Sequence, residues 1–295
     1  MSEFRIDAAL PQEMAERAEQ VGVRKAAMPF LKTFTLAMLA GAFIAFGAIF
    51  ATTVSAGSLA VASTADGGVP FVIGLPFGVT RLLAGIVFSL GLILVIIGGA
   101  ELFTGNNLIV MAWAGGKVTS YALLRNWAIV YLGNFVGALG TVVLMFFSRQ
   151  HTFGAGAVGI TALKIGVAKS ELTFLQAVAL GILCNTLVCL AVWLTFSART
   201  VADKILAIVV PISAFVAAGF EHSIANMYFI PYALALKYFD PAFVSAMEGQ
   251  VPHLDRLTAP AFFVNNLIPV TIGNVIGGAV FVAAVYWSVY LRKPK

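Results

Sequence analysis

Apolar residues run along this chain in six blocks, at 34–53, 82–100 with a tail to 113, 126–147, 173–196, 205–236 and 261–291. Each is near the ~20 residues that a helix rising 1.5 Å per residue needs to cross a hydrocarbon core. None alternates apolar and polar residues over ~10-residue strands, the pattern a membrane barrel needs. The pattern predicts an all-α membrane protein with six transmembrane helices. Two blocks are interrupted. In the fifth, 205–218 and 224–236 carry no charge, yet Gly219-Phe220-Glu221-His222-Ser223 lies between them. In the second, Gly98-Gly99-Ala100-Glu101-Leu102-Phe103-Thr104-Gly105-Asn106-Asn107 breaks the run. Ionisable groups at bilayer depth are costly and usually face a cavity or a route. Both the second and the fifth helix are therefore expected to be broken, with the gaps lining a substrate path.

The third and sixth blocks share a pattern. Asn126-x-x-x-Val130-x-x-Gly133-Asn134-x-x-Gly137 aligns with Asn266-x-x-x-Val270-x-x-Gly273-Asn274-x-x-Gly277, five identities 140 residues apart. Three spans precede and include each copy. An odd-span repeat must insert with opposite orientations, so the expectation is an inverted 3+3 repeat with a binding region where the halves meet. In this reading Glu101 pairs in position with Glu221, and Thr104 with Ser223 or His222.

Composition fixes the class. Hydrophobic residues make up 60% and charged residues 11% of the 295, with a mean hydropathy of +0.97. Soluble domains sit nearer half apolar and a quarter charged. Lysine and arginine concentrate on the cytoplasmic side of a membrane. With both termini inside, twelve of the eighteen basic residues fall on that side. The net charge of +5 then reflects topology, and no basic cluster or motif suggests a nucleic-acid partner. Residues 1–33 are polar and mixed in charge, without the apolar core and cleavage site of a signal peptide. The chain divides into a cytoplasmic segment 1–32, a six-span domain 33–291 and a cytoplasmic tail 292–295. Within the first, 10–28 suits either an amphipathic helix lying at the membrane surface or a solvated lead-in. Cys184 and Cys189, five apart in one span, read as small buried hydrophobes.

The candidate chemistry sits at the breaks. Glu101 and Glu221 can cap freed N–H groups of the half-helices or touch substrate directly. A carboxylate would repel an anion, which favours capping. His222 is the only histidine within a span and can change protonation near neutral pH; the alternative is a satisfied core histidine. No second His or Cys lies at ligand spacing, so no metal and no cofactor are expected. His151 and His253 fall in loops, and Arg81 and Lys237 read as membrane-edge anchors.

Gly-Ala-Glu-Leu-Phe-Thr-Gly at 99–105, Gly-Phe-Glu-His-Ser-Ile-Ala-Asn-Met at 219–227, Asn-Leu-Ile-Pro-Val-Thr-Ile-Gly-Asn at 266–274 and Leu-Val-Cys-Leu-Ala-Val-Trp at 187–193 resemble the formate/nitrite transporter family. Phe-Ser-Leu-Gly-Leu-Ile-Leu at 88–94 is closest to its formate channels. The likeness covers 31–292; the loop 55–78 departs from it by its length. It implies an aquaporin-like fold assembled as a homopentamer in a bacterial-type inner membrane, each protomer with its own pore. Carried over by motif, Phe88, Leu92 and Phe215 would form a periplasmic constriction and Leu102 with Phe103 a cytoplasmic one. Core packing is the competing role for Phe88 and Leu92. Thr104 and Asn185 would hydrogen-bond the substrate or His222. Asn274 and Glu221 would hold the loop segments, and Lys169 would stand in the vestibule.

A bare carboxylate crosses a ring of Phe and Leu only at a desolvation cost of many kcal/mol. The expected mechanism is attraction of formate by Lys169 and half-helix ends, then protonation near His222, so that a neutral acid passes. Nitrite, hydrosulfide or acetate could use the same pore. A neutral-solute facilitator lacks its Asn-Pro-Ala signature here, and an enzyme lacks a nucleophile, a cofactor motif or a metal cluster.

Overall fold

In a computed structural model the described residues are 8–57, 60–62, 71–73, 75–247 and 249–292. The middle of the loop 55–78 and the tail beyond 292 lie outside them. Among the described residues six helices are long and apolar enough to cross a membrane: Phe30–Ser55, Phe77–Gly98, Ser120–Phe147, Phe174–Ser197, Val201–Ala218 and Ala259–Tyr290. In chain order the elements are α1 (Pro11–Ala26), α2 (Phe30–Ser55), α3 (Phe77–Gly98), α4 (Val110–Ala114), α5 (Ser120–Ser148), α6 (Ala157–Ser170), α7 (Phe174–Ser197), α8 (Val201–Ala218), α9 (Ser223–Phe239) and α10 (Pro241–Ala246), then the last span. Two three-residue strands, Ala60–Ala62 and Phe71–Ile73, pair antiparallel between α2 and α3.

α3 and α8 end the same way. Gly99 at φ 77° and Gly219 at φ 78° take the left-handed conformation that stops a helix and that only glycine adopts freely. After the first, a 3₁₀ turn at Gly105–Ile109 leads into α4; after the second, α9 starts at Ser223. The apolar run 205–236 is thus two helices. The last span carries π-helical stretches at Phe262–Leu267 and Ile276–Ala284.

Glycines set how closely the spans approach. A Cβ at Gly137 would strike the carbonyl of Met38, and one at Gly277 the carbonyl of Ile182. In each half the third span therefore packs backbone to backbone against the first, as small residues four apart allow. Where the two copies of the repeat touch, Tyr131 Oη and Thr271 Oγ1 stand 2.8 Å apart.

Two elements differ from expectation. α1 covers the bundle with its apolar face, burying Met14, Ala15, Ala18 and Gly22. Gly22 comes against Ile109 and Ala112, so this face is covered by protein and not by lipid. The stretch before the fourth span is also helical: α6 buries Val158, Ala162, Leu163 and Val167. Lys169 thus sits in a helix's last turn.

Candidate functional site

The residue after each break determines what its half can do. His222 caps α9: the Ala225 N–H donates to Nδ1 over 3.0 Å. With Nδ1 accepting, the ring proton of a neutral imidazole belongs on Nε2. Nε2 lies 3.0 Å from Thr104 Oγ1, so it donates across the gap to the other half. Both side chains are buried. Charging this ring would put a proton on Nδ1 and take away the acceptor of Ala225.

The glutamates sit in matched networks. Glu101 accepts from Lys25 Nζ at 2.9 Å and Asn106 Nδ2 at 2.7 Å. Glu221 accepts from Lys169 Nζ at 2.7 Å and Asn226 Nδ2 at 2.6 Å. Asn106 also donates to Asn126, which donates back to the Lys25 carbonyl. Asn226 donates to Asn266, which donates back to the Lys169 carbonyl. Neither glutamate caps a half-helix. A carboxylate this deep is tolerable only with a cation and amide donors around it, and these are what each acquires.

Two asparagines satisfy the freed backbone instead. Asn134 Oδ1 accepts from the Phe103 N–H while Nδ2 donates to the Ala37 and Glu101 carbonyls. Asn274 Oδ1 accepts from the Ser223 N–H while Nδ2 donates to the Gly181 and Glu221 carbonyls. This register, 120 residues between the breaks, makes Leu102 the counterpart of His222 and Phe103 that of Ser223. Thr104 then matches Ile224, not Ser223 or His222. The Thr104–His222 contact joins two non-equivalent positions.

Two cavities approach this contact. One, of about 340 Å³, is lined by Phe88, Phe215, His222, Glu221, Lys169 and Arg81. Phe88 meets Phe215 edge to face, centroids 5.7 Å apart, and Phe215 stacks on His222 at 6.0 Å. The Lys169 ammonium lies 5.5 Å from the centre of the Phe229 ring. The other, of about 260 Å³, is lined by Leu92, Val95, Leu102, Glu101 and Lys25 among others. Leu92 therefore shares a cavity with Leu102, whereas Phe88 and Phe215 line the one beyond. Phe103 lines neither. Its ring turns edge-on to Tyr131 at 4.9 Å and Trp127 at 6.0 Å. Thr104, Asn185 and Asn274 also lie behind the cavity walls. Asn185 Nδ2 donates to the Asn274 carbonyl at 2.6 Å and more weakly to the Thr104 carbonyl at 3.3 Å. It ties the first break to the last span.

Several contributors carried no assignment from sequence. Lys25 precedes Lys169 by 144 residues, close to the repeat offset, and that spacing was the available signal. Asn106, Asn126, Asn134, Asn226 and Asn266 all fall within the sequence motifs. Arg81 faces inward: its Nε donates to the Ala217 carbonyl at 3.1 Å and its Nη2 to that of Val216. It closes the C-terminal end of α8, where carbonyls collect negative charge. Burial lowers the Lys237 pKa; its ammonium donates to the carbonyls of Leu254 and Leu257. No cluster of three metal-ligating side chains occurs among the described residues.

The family model described as Formate/nitrite transporter matches residues 12–288. Formate channel FocA of Escherichia coli (strain K12) is 45% identical over 288 residues, covering 97% of this chain and 96% of that one. Its namesake from Haemophilus influenzae is 41% identical, covering 96% and 94%. A solved structure described as a pentameric formate channel with formate bound superposes with a TM-score of 0.79. It is 46% identical and covers 89% of this chain and 98% of its own. An FNT family ion channel, 26% identical, gives a TM-score of 0.74 over 95% of this chain and 99% of its own. The helix breaks, their twin networks and these likenesses agree: the chain belongs to the formate/nitrite transporter family.

Proposed function

We propose that this protein passes formate across a membrane, between the two cavities and past the Thr104–His222 contact. The single observation that supports this reading is that contact. It joins side chains of the two halves where His222 lines the larger cavity and Leu102, two residues before Thr104, lines the smaller one. Formate enters as an anion. Lys169 and Arg81 attract it into the larger cavity, where Glu221 already neutralises one of the two charges. Crossing the apolar rings as an ion would cost many kcal/mol, so the anion takes up a proton beside His222.

The tautomer constrains that step. A neutral His222 has one ring proton, on Nε2 against Thr104, and cannot release it to formate without becoming an imidazolate. The proton donor is therefore the imidazolium, formed only while Ala225 N–H is without its acceptor. That makes it a transient carrier and not a resting state, recharged from the cavity or through the Thr104 hydroxyl. Net movement is of formic acid, with no bond to carbon made or broken. The relatives that are formate channels, one of them pentameric with formate bound, support formate as substrate and a homopentamer with one path per protomer. The bias of basic residues supports both termini facing the cytoplasm, in a bacterial-type inner membrane.

Flux of formate and nitrite into proteoliposomes at pH 5.5 and 7.5, with His222→Asn alongside, tests the reading. Formate should lead, and the variant should lose most of the pH dependence. Faster nitrite flux would transfer the function to nitrite. An unchanged pH profile in the variant would remove His222 from proton transfer.

A further inference from the structure

The two cavities differ in charge. Arg81 and Lys169 against Glu221 leave the larger one with a single excess positive charge while His222 is neutral. The smaller one is lined by Arg17, Arg24, Lys25 and Lys204, with Glu101 the one acid among its lining residues. Three excess positive charges therefore surround about 260 Å³. Glu101 is already occupied by Lys25 and Asn106. Asp203, next to Lys204 in the chain, accepts from the Arg199 and Thr200 N–H groups. Arg17 donates one hydrogen bond, to the Phe196 carbonyl. Among the described residues the side chains of Arg24 and Lys204 carry no ion pair or hydrogen bond.

For a channel of monovalent anions, such a mouth has a second consequence. Coulomb attraction grows in proportion to the ligand's charge, whereas the Born cost of entering the apolar ring grows with its square. A monovalent anion is weakly held and can be neutralised by one proton. A dianion is held more strongly and cannot pass Leu92 and Leu102. About 15 Å³ admits one water, so the cavity has room for a small multivalent oxyanion with its remaining waters.

We propose that the smaller cavity, under α1, is a binding site for a phosphate-class multivalent oxyanion, and that such an ion plugs the path from this side. Arg24 and Lys204 are its free cationic ligands, and Arg17 and Lys25 complete the ring. The blocking role rests on the transport reading above; the binding does not.

The test uses the full chain. Formate flux is measured in phosphatidylcholine vesicles with rising pyrophosphate on both faces, ionic strength being matched by sodium chloride because surface attraction is screened by salt. Calorimetric titration of the detergent-purified protein with pyrophosphate reads binding independently of transport. Half-block is expected at a concentration at least tenfold below any effect of chloride. Arg24→Gln with Lys204→Gln should raise the half-blocking concentration and the dissociation constant at least tenfold. The charge-keeping pair Arg24→Lys with Lys204→Arg should stay within threefold of the parent, and Arg81→Gln, in the other cavity, within twofold. Heat without block would overturn the plug and keep the site. Neither heat nor block, or an equal loss from Arg81→Gln, would overturn the proposal. Vesicles with one quarter phosphatidylglycerol separate the sources of phosphate. Block that persists there assigns the site to a soluble ion, and block weakened tenfold assigns it to a lipid headgroup.

Discussion

Glu101 and Glu221 have the same neighbours in the same order: a lysine, an asparagine five residues on, and a second asparagine that returns to the lysine's carbonyl. The residues next to them differ. Leu102 comes after Glu101 and His222 after Glu221, and Arg81 in the first half has Val201 as its counterpart in the second. The comparison teaches where function lies. The duplicated part answers a demand common to both breaks, to keep a deep carboxylate paired with a cation and amide donors. Of the part that differs, His222 and Arg81 line the larger cavity and Leu102 the smaller one.

Removing a lysine attacks the shared frame and should have the largest effect. Lys25→Met or Lys169→Met leaves a buried carboxylate without its cation, costing about 3 kcal/mol. Thermal unfolding in detergent should show similar losses for both, and a second change, Glu101→Gln or Glu221→Gln, should recover much of each. A loss confined to one half would break the equivalence. Asn134→Ala and Asn274→Ala come next. Each orphans one buried N–H and one carbonyl of the break, that of Glu101 or Glu221, and an unsatisfied buried group costs about 1–3 kcal/mol. Equal shifts in midpoint are expected.

His222→Leu makes the second break resemble the first. It removes a cap, worth about 1 kcal/mol, so the protein should fold while formate flux loses its pH dependence. Nitrogen NMR of labelled histidine sharpens the point: the resting ring should be neutral with its proton on Nε2. A signal from a doubly protonated ring at pH 7 would contradict the Ala225 cap. The smallest effect is expected from Tyr131→Phe, which removes one hydrogen bond between the halves, about 1 kcal/mol. Thr271 keeps its bond to the Leu267 carbonyl.

Much of this was legible before any coordinates. The six spans are visible because apolar length alone specifies them. Both breaks are visible because Gly99 and Gly219 precede a carboxylate inside an apolar run. The asparagines recur at fixed spacing. What the carboxylates bond was not legible, since a glutamate beside freed N–H groups suits capping until a lysine from another element claims it. Lys25 and Lys169 arrive from segments 76 and 52 residues away. Phe103 illustrates another limit: its motif position is the same whether the ring faces a path or, as here, Trp127 and Tyr131. The covering role of α1 depends on Gly22 meeting Ala112, a contact between elements that no periodicity reports.

The touching pair Tyr131 and Thr271 carries a consequence for symmetry. They are the same position of the two repeat copies, so each meets its own counterpart. In a protein built from two identical half-chains, whatever residue stood there would have to fit against itself. Two tyrosines would crowd one space and two threonines would leave it unfilled. A large residue facing a small one is open only where the two copies have diverged. The hydroxyl pair is thus a point where the two copies of the motif meet without being alike.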